Sequence, residues 1–114
     1  ESAFLVVAWN PCYHAIMIRS FANQGTEDIF NGVRSGAARR LCPAALLAVA
    51  ARKLDYLDSA RPLSDLEAPP GNQLERLKGD REGQYSIRIN AQYRIVFAWS
   101  AQAPDHVEIV DYHG

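Results

Sequence analysis

Asp111-Tyr112-His113 puts an acid, a phenol and an imidazole in a row at the end of an apolar, strand-like segment. An imidazole exchanges protons near neutral pH and a carboxylate accepts them, so this row holds the parts of general acid–base chemistry. Upstream, Leu77-Lys78-Gly79-Asp80-Arg81-Glu82-Gly83 forms a turn with two cations, and Arg88 and Arg94 follow. An acid–base cluster with cations suits a phosphodiester: one part moves protons and the other offsets charge on the phosphoryl oxygens. Each piece also has a plainer reading. A penultimate histidine is commonly frayed and solvated, and a Lys-Gly-Asp-Arg turn is an ordinary surface turn. Asp111 can simply anchor an arginine, and Tyr112 can cap a core. His106, at a strand entrance, reads as a surface residue, and His14 as a bystander.

The elements that must position these residues sit in one domain, since 114 residues suffice for a single core. With 48% hydrophobic residues the chain is globular. A net charge of −1 means that attraction for nucleic acid must come from local clustering. Residues 73 to 94 hold five cations (Arg76, Lys78, Arg81, Arg88, Arg94) against three acids (Glu75, Asp80, Glu82). Taken alone, that modest excess describes a solvated charged surface.

Cys12 and Cys42 have no metal-ligand spacing and no disulfide-scaffold density, so a reducing cytoplasm is the expected setting. Phe4-Leu5-Val6-Val7-Ala8-Trp9 is far shorter than the roughly 20 residues of a membrane span, and no cation precedes it as in a signal peptide. No membrane partner is expected. Residues 1–16 carry no Lys, Arg, Asp or Glu after Glu1 and precede the single methionine, Met17. We read them as an extension of upstream origin, and 17–114 as the domain.

Along that domain the pattern runs β, α, α, then several β. Ala15 to Phe21 can make a short strand, and Thr26-Glu27-Asp28 begins a helix with acids in its first turn. Gly32 and Gly36 end it. After Pro43, Leu47, Ala50, Leu54 and Leu57 recur at spacings of three and four, the stripe of a helix packed on one side. Pro62 closes that helix, and 61–73 forms a loop with a helical turn near Asp65 to Glu67. The period then becomes two. Tyr85, Ile87 and Ile89 alternate with Ser86, Arg88 and Asn90, and after a short turn Tyr93, Ile95, Phe97 and Trp99 alternate with Arg94, Val96 and Ala98. Ala103-Pro104-Asp105 turns the chain into a last strand from Val107 to Tyr112.

A turn centred on Ala91 pairs Ile89 with Tyr93 and Ile87 with Ile95, and sets Arg88 opposite Arg94 on the other face. Like charges directly across a strand pair are destabilising. Two remedies are open: acidic neighbours such as Glu108 or Asp111, or an anion bound on that face.

Taken in order, Leu74-Glu75-Arg76-Leu77-Lys78-Gly79-Asp80-Arg81, Gly83 to Asn90, Gln92-Tyr93-Arg94-Ile95-Val96-Phe97 and Val107 to His113 resemble the HigB toxins of the RelE-like superfamily. The resemblance begins at Met17-Ile18-Arg19-Ser20-Phe21 and leaves out residues 1–16. It implies an α+β fold, with two helices on one face of a small, mostly antiparallel sheet. It further implies a toxin of a type II toxin–antitoxin system that cuts messenger RNA on the translating ribosome without cofactor or metal, by attack of the ribose 2′-hydroxyl. Its partner would be a HigA-like helix-turn-helix antitoxin, through which alone it would meet DNA. Matched by position, Asp111, Tyr112 and His113 fall on the catalytic cluster, and Arg94 on a phosphate-facing arginine. Some HigB toxins carry histidine where this chain has Glu75.

The roles fit together chemically. Glu75 or His113 serves as base for the 2′-hydroxyl, and an acid serves the leaving 5′-oxygen. Tyr112 positions the histidine or stacks on a base, while Lys78, Arg81, Arg88 and Arg94 hold phosphates. Glu75 also motivates a second reading, a RelE-like module of weak or no activity that mainly binds its antitoxin or RNA. A plain interaction domain, its charges spent on salt bridges, is a third.

Overall fold

The computed structural model describes residues 17–111. Three helices, α1 (Gln24–Phe30), α2 (Gly36–Leu41) and α3 (Leu47–Ser59), precede an antiparallel sheet of β1 (Glu75–Arg76), β2 (Gln84–Arg88), β3 (Tyr93–Ser100) and β4 (Ala103–Asp111). The strands lie in the order β1-β2-β3-β4. The α+β class expected from the sequence stands, with one short helix more than the pattern announced.

That extra helix follows from local capping. Ser35 Oγ accepts the Ala38 N–H at 3.0 Å and starts α2 at Gly36, the residue that reads as a breaker. Asn23 does the same for α1, accepting the Thr26 N–H at 2.9 Å. The two helices approach closely at Gly25, where a Cβ would lie 2.6 Å from Leu41 Cδ1 and 2.7 Å from the Ala37 carbonyl oxygen. Any side chain there would push them apart.

The longer α3 buries the stripe expected of it, Leu47, Ala50, Leu54 and Leu57, against Ile87, Ile95, Phe97, Val107 and Ile109 of the sheet. Burying such a side chain contributes roughly 1.5–3 kcal/mol. Thr26 on α1 ties helix to sheet by accepting the Ile109 N–H at 3.2 Å.

Residues 17–22 make no full strand; one parallel bridge joins Phe21 to Val107. The Arg19 N–H donates to the Pro104 carbonyl at 2.7 Å and the Ala22 N–H to the Val107 carbonyl at 2.8 Å, so this segment covers the outer edge of β4. Its start is held by Asp58, which accepts the Met17 and Ile18 N–H groups at 2.7 and 3.2 Å. Residues 1–16 lie outside the described part.

The hairpin register is as expected: Ile87 pairs with Ile95 and Arg88 with Arg94. The last strand differs. It begins at Ala103, because the turn falls on Ala101 and Gln102, both at left-handed φ (53° and 63°). Pro104 is tolerated inside β4 since that strand lies at the sheet's edge. A bulge follows at His106 (φ 51°), shifting the register between Val96 and Ala98. His106 itself is exposed.

Candidate active site

With the helices on the Ile87–Ile95–Ile109 face, strand alternation sends Glu75, Ser86, Arg88, Arg94, Val96 and Glu108 to the other face. Four of the expected site residues gather on or beside it. β1 is short and carries Glu75 opposite Ser86. The 3₁₀ turn Gly79–Arg81, entered through exposed Lys78, delivers Arg81 next to β2.

Arg94 is the best fixed of these side chains. Its Nε donates to Ser86 Oγ at 2.8 Å, and an Nη donates to the Gln73 carbonyl at 2.6 Å. The same nitrogen lies 3.7 Å from a Glu75 carboxylate oxygen, with 9% of the Arg94 side chain exposed against 56% of Glu75. A buried guanidinium is tolerable only when its donors are matched, and bonds to oxygen at 2.6–2.8 Å do this.

Glu75, not named among the acidic neighbours expected for the two arginines, is thus an acid beside Arg94. Glu108 meets Arg81 instead, at 3.8 Å, and Arg81 also donates to Gln84 Oε1 at 3.3 Å. Asp111 pairs with Tyr93 in register, on the helix-facing side of the sheet, and accepts from Gln92 Nε2 at 3.1 Å. Tyr112 and His113 lie outside the described residues.

Arg88 is half-buried beside Arg94. Its charge reaches Lys53 of α3, whose pKa falls below 10.5 mainly through burial, with Arg52 and Arg88 adding repulsion. Lys53 keeps a partner even so: Nζ donates to Asn72 Oδ1 at 2.6 Å.

Sequence reasoning missed Lys53, Asn72, Gln73 and Ser86. The last was within reach, since the period-two pattern already set Ser86 on the arginine face. The others depend on where the 61–73 loop crosses, which no local periodicity encodes. Among the described residues, no group of three or more His, Cys, Asp or Glu side chains is arranged to hold a metal ion. No helix among them is long and apolar enough to cross a membrane.

Helices packed on one face of a four-stranded antiparallel sheet make an α+β fold of the RelE-like class. A model of the HigB-like toxins, described as the RelE-like toxin of type II toxin-antitoxin system HigB, matches residues 19–113. The chain is 48% identical over 60 residues to Toxin HigB-1 of Vibrio cholerae serotype O1, covering 53% of this chain and 63% of that protein. It is 42% identical over 73 residues to an uncharacterized protein of Haemophilus influenzae, covering 64% and 72% respectively. It is 34% identical over 98 residues to Endoribonuclease HigB of Proteus vulgaris, covering 85% of this chain and 100% of that protein. The chain belongs to the HigB-like toxins, a family whose definition implies an antitoxin partner.

Proposed function

We propose that this chain is a cytoplasmic endoribonuclease that cuts messenger RNA on the translating ribosome and is restrained by a HigA-like helix-turn-helix antitoxin. The observation that carries the proposal is the Glu75–Arg94 pair, an exposed carboxylate 3.7 Å from a buried, braced guanidinium. The name of the Proteus vulgaris relative, an endoribonuclease, supports the same chemistry.

In the reaction, the ribose 2′-oxygen attacks the adjacent phosphorus. A 2′-O–P bond forms as the P–O5′ bond breaks, leaving a 2′,3′-cyclic phosphate and a 5′-hydroxyl. Glu75 takes the 2′-hydroxyl proton and His113 supplies one to O5′. Arg94 places fixed positive charge where the phosphoryl oxygens gain negative charge, and it needs no rearrangement to do so. Lys78, Arg81 and Arg88 hold flanking phosphates. Asp111 completes the catalytic cluster, and Tyr112 positions His113 or stacks on a base. No step calls for a metal or cofactor.

The test is induced expression of residues 17–114, followed by cleavage assays on the purified protein. Growth arrest, and cutting that requires ribosomes and persists in EDTA, are the expected results. Loss of cutting on chelation refutes the metal-free step. Folded protein that neither arrests growth nor cuts, yet still binds RNA or its antitoxin, supports the binding-module reading suggested by Glu75.

A further inference from the structure

Arg94 does not hold its place by sheet register alone. One of its guanidinium nitrogens donates at 2.6 Å to the carbonyl of Gln73, a residue outside the sheet with left-handed backbone (φ 48°, ψ 58°). That conformation is costly for a side chain larger than glycine and persists only where the surroundings fix it. The Gln73 N–H donates to the Pro70 carbonyl at 3.1 Å, and the residue before Gln73 is held on three sides. Asn72 is fully buried, and its amide nitrogen donates to the Leu66 and Ala68 carbonyls at 3.2 and 3.1 Å. Its amide oxygen receives the Lys53 ammonium at 2.6 Å.

Asn72 thus clamps both the loop it closes and the helix beneath. Lys53, 8% exposed, carries a net charge, and its bond to Asn72 and place over the Tyr56 ring offset part of the cost of burying it. An aliphatic side chain would fill the same space without that cost.

We infer that Lys53 and Asn72 are positioning residues for Arg94: together they lock the 72–73 turn so that the Gln73 carbonyl, and through it the guanidinium beside Glu75, keeps its place. This rests on the ribonuclease reading for its catalytic consequence but not for its geometry. β1 is only two residues long, so the strand bearing Glu75 has little pairing of its own, and a loosened turn releases Glu75 and Gln73 together. The latch reaches from α3, behind the sheet, to the reacting face. Neither residue touches substrate.

The experiment uses the full chain with Lys53→Met, Lys53→Gln and Asn72→Asp. Lys53→Met keeps the buried stem and removes the donor. Lys53→Gln keeps a shorter donor and should restore part of the effect. Asn72→Asp keeps the oxygen that faces Lys53 and replaces the amide that faces two carbonyls. Two readouts separate latch from mere stability. One is hydrogen exchange at the Arg94 Nε–H, followed by NMR and assigned with Arg94→Lys. The other is single-turnover cleavage on programmed ribosomes, resolved into binding and rate.

Expected are on the order of tenfold faster exchange at Nε and a 10- to 100-fold lower cleavage rate, the scale of a small misplacement, with ribosome binding held within about threefold. An Nε signal that matches the parent in Lys53→Met and Asn72→Asp overturns the latch, whatever the melting temperature does. Faster Nε exchange in the variants, with a parent protein that never cuts RNA, upholds the latch and refutes the ribonuclease reading instead. Should Asn72→Asp fail to fold, the two Lys53 variants carry the same decision.

Discussion

Glu75→Gln separates chemistry from architecture because the two members of the Glu75–Arg94 pair differ so much in burial. The Glu75 side chain is 56% exposed and lies 3.7 Å from the guanidinium. Exposed ion pairs contribute about 0–1 kcal/mol, which for a domain of this size moves Tm by at most roughly 4–8 °C. A general base contributes on the order of 10² to 10⁴ in rate. The variant should therefore melt almost like the parent while its single-turnover cleavage collapses. Arg94→Ala supplies the contrast. It removes two hydrogen bonds of 2.8 and 2.6 Å and leaves buried Ser86 Oγ without that donor. Bonds to charged groups contribute about 1.5–3 kcal/mol each, so a loss near 3 kcal/mol, roughly 12 °C or more, should accompany its loss of activity. Differential scanning calorimetry gives the first quantity and quenched-flow cleavage of ribosome-bound message the second. If Glu75→Gln cleaves at the parent rate, Glu75 serves only to orient Arg94 and the base is His113. If its Tm falls as far as that of Arg94→Ala, the carboxylate is an architectural element.

Two further expectations concern charge and pH. Replacing Lys78, Arg81 or Arg88 with Ala should lower the slope of log K for RNA or ribosome binding against log salt by about 0.7–1 per lost phosphate contact; an unchanged slope with reduced stability would make them salt-bridge residues alone. Asp105 has its pKa held below 3.8, chiefly by the Ser20 hydroxyl at 2.6 Å, with His106 and Arg19 adding attraction. A carboxyl depressed in the folded state stabilises above its unfolded value and loses that contribution as pH falls through the folded value. Acid should thus loosen residues 17–22 from β4, seen as faster exchange of the Val107 N–H, and Asp105→Asn should remove that dependence.

The elements that a short repeat can announce were legible: the Leu47, Ala50, Leu54, Leu57 stripe and the Ile87–Ile95 register both hold. In each case the pattern and the packing are the same fact, since a period of 3.6 or 2 exists only to face one core. Where the outcome depended on backbone geometry without its usual residue, the sequence was silent. Ala101 and Gln102 adopt left-handed φ with neither glycine nor asparagine to mark the turn, so β4 starts earlier than Pro104 suggests. Gly36 reads as a stop but opens α2, because Ser35 caps it. At the site, the opposition of Arg88 and Arg94 was legible from alternation. That Arg94 is buried under Gln73 was not, because a loop crossing joins residues 21 apart by a backbone carbonyl, which any residue type can supply.

Under the proposed function, the pairing on the arginine face bears on how substrate arrives. Arg94 and Arg81 each lie within 4 Å of a carboxylate, Glu75 and Glu108 respectively. The whole chain carries a net charge of −1. Long-range attraction for RNA depends on uncompensated positive charge, and here much of it is already offset at short range. A free ribonuclease that had to capture naked RNA by electrostatics would be poorly served by this surface. One that receives its message already threaded and held needs local charge only at the scissile phosphate, where Arg94 would supply it. Under the proposed function, the same neutrality that weakens capture of free RNA makes cutting depend on the ribosome. An arginine placed at Glu108 would free Arg81 and add positive charge to that face. It should raise affinity for naked single-stranded RNA and steepen its salt dependence, while cleavage without ribosomes stays low if presentation of the substrate, and not capture, limits the reaction.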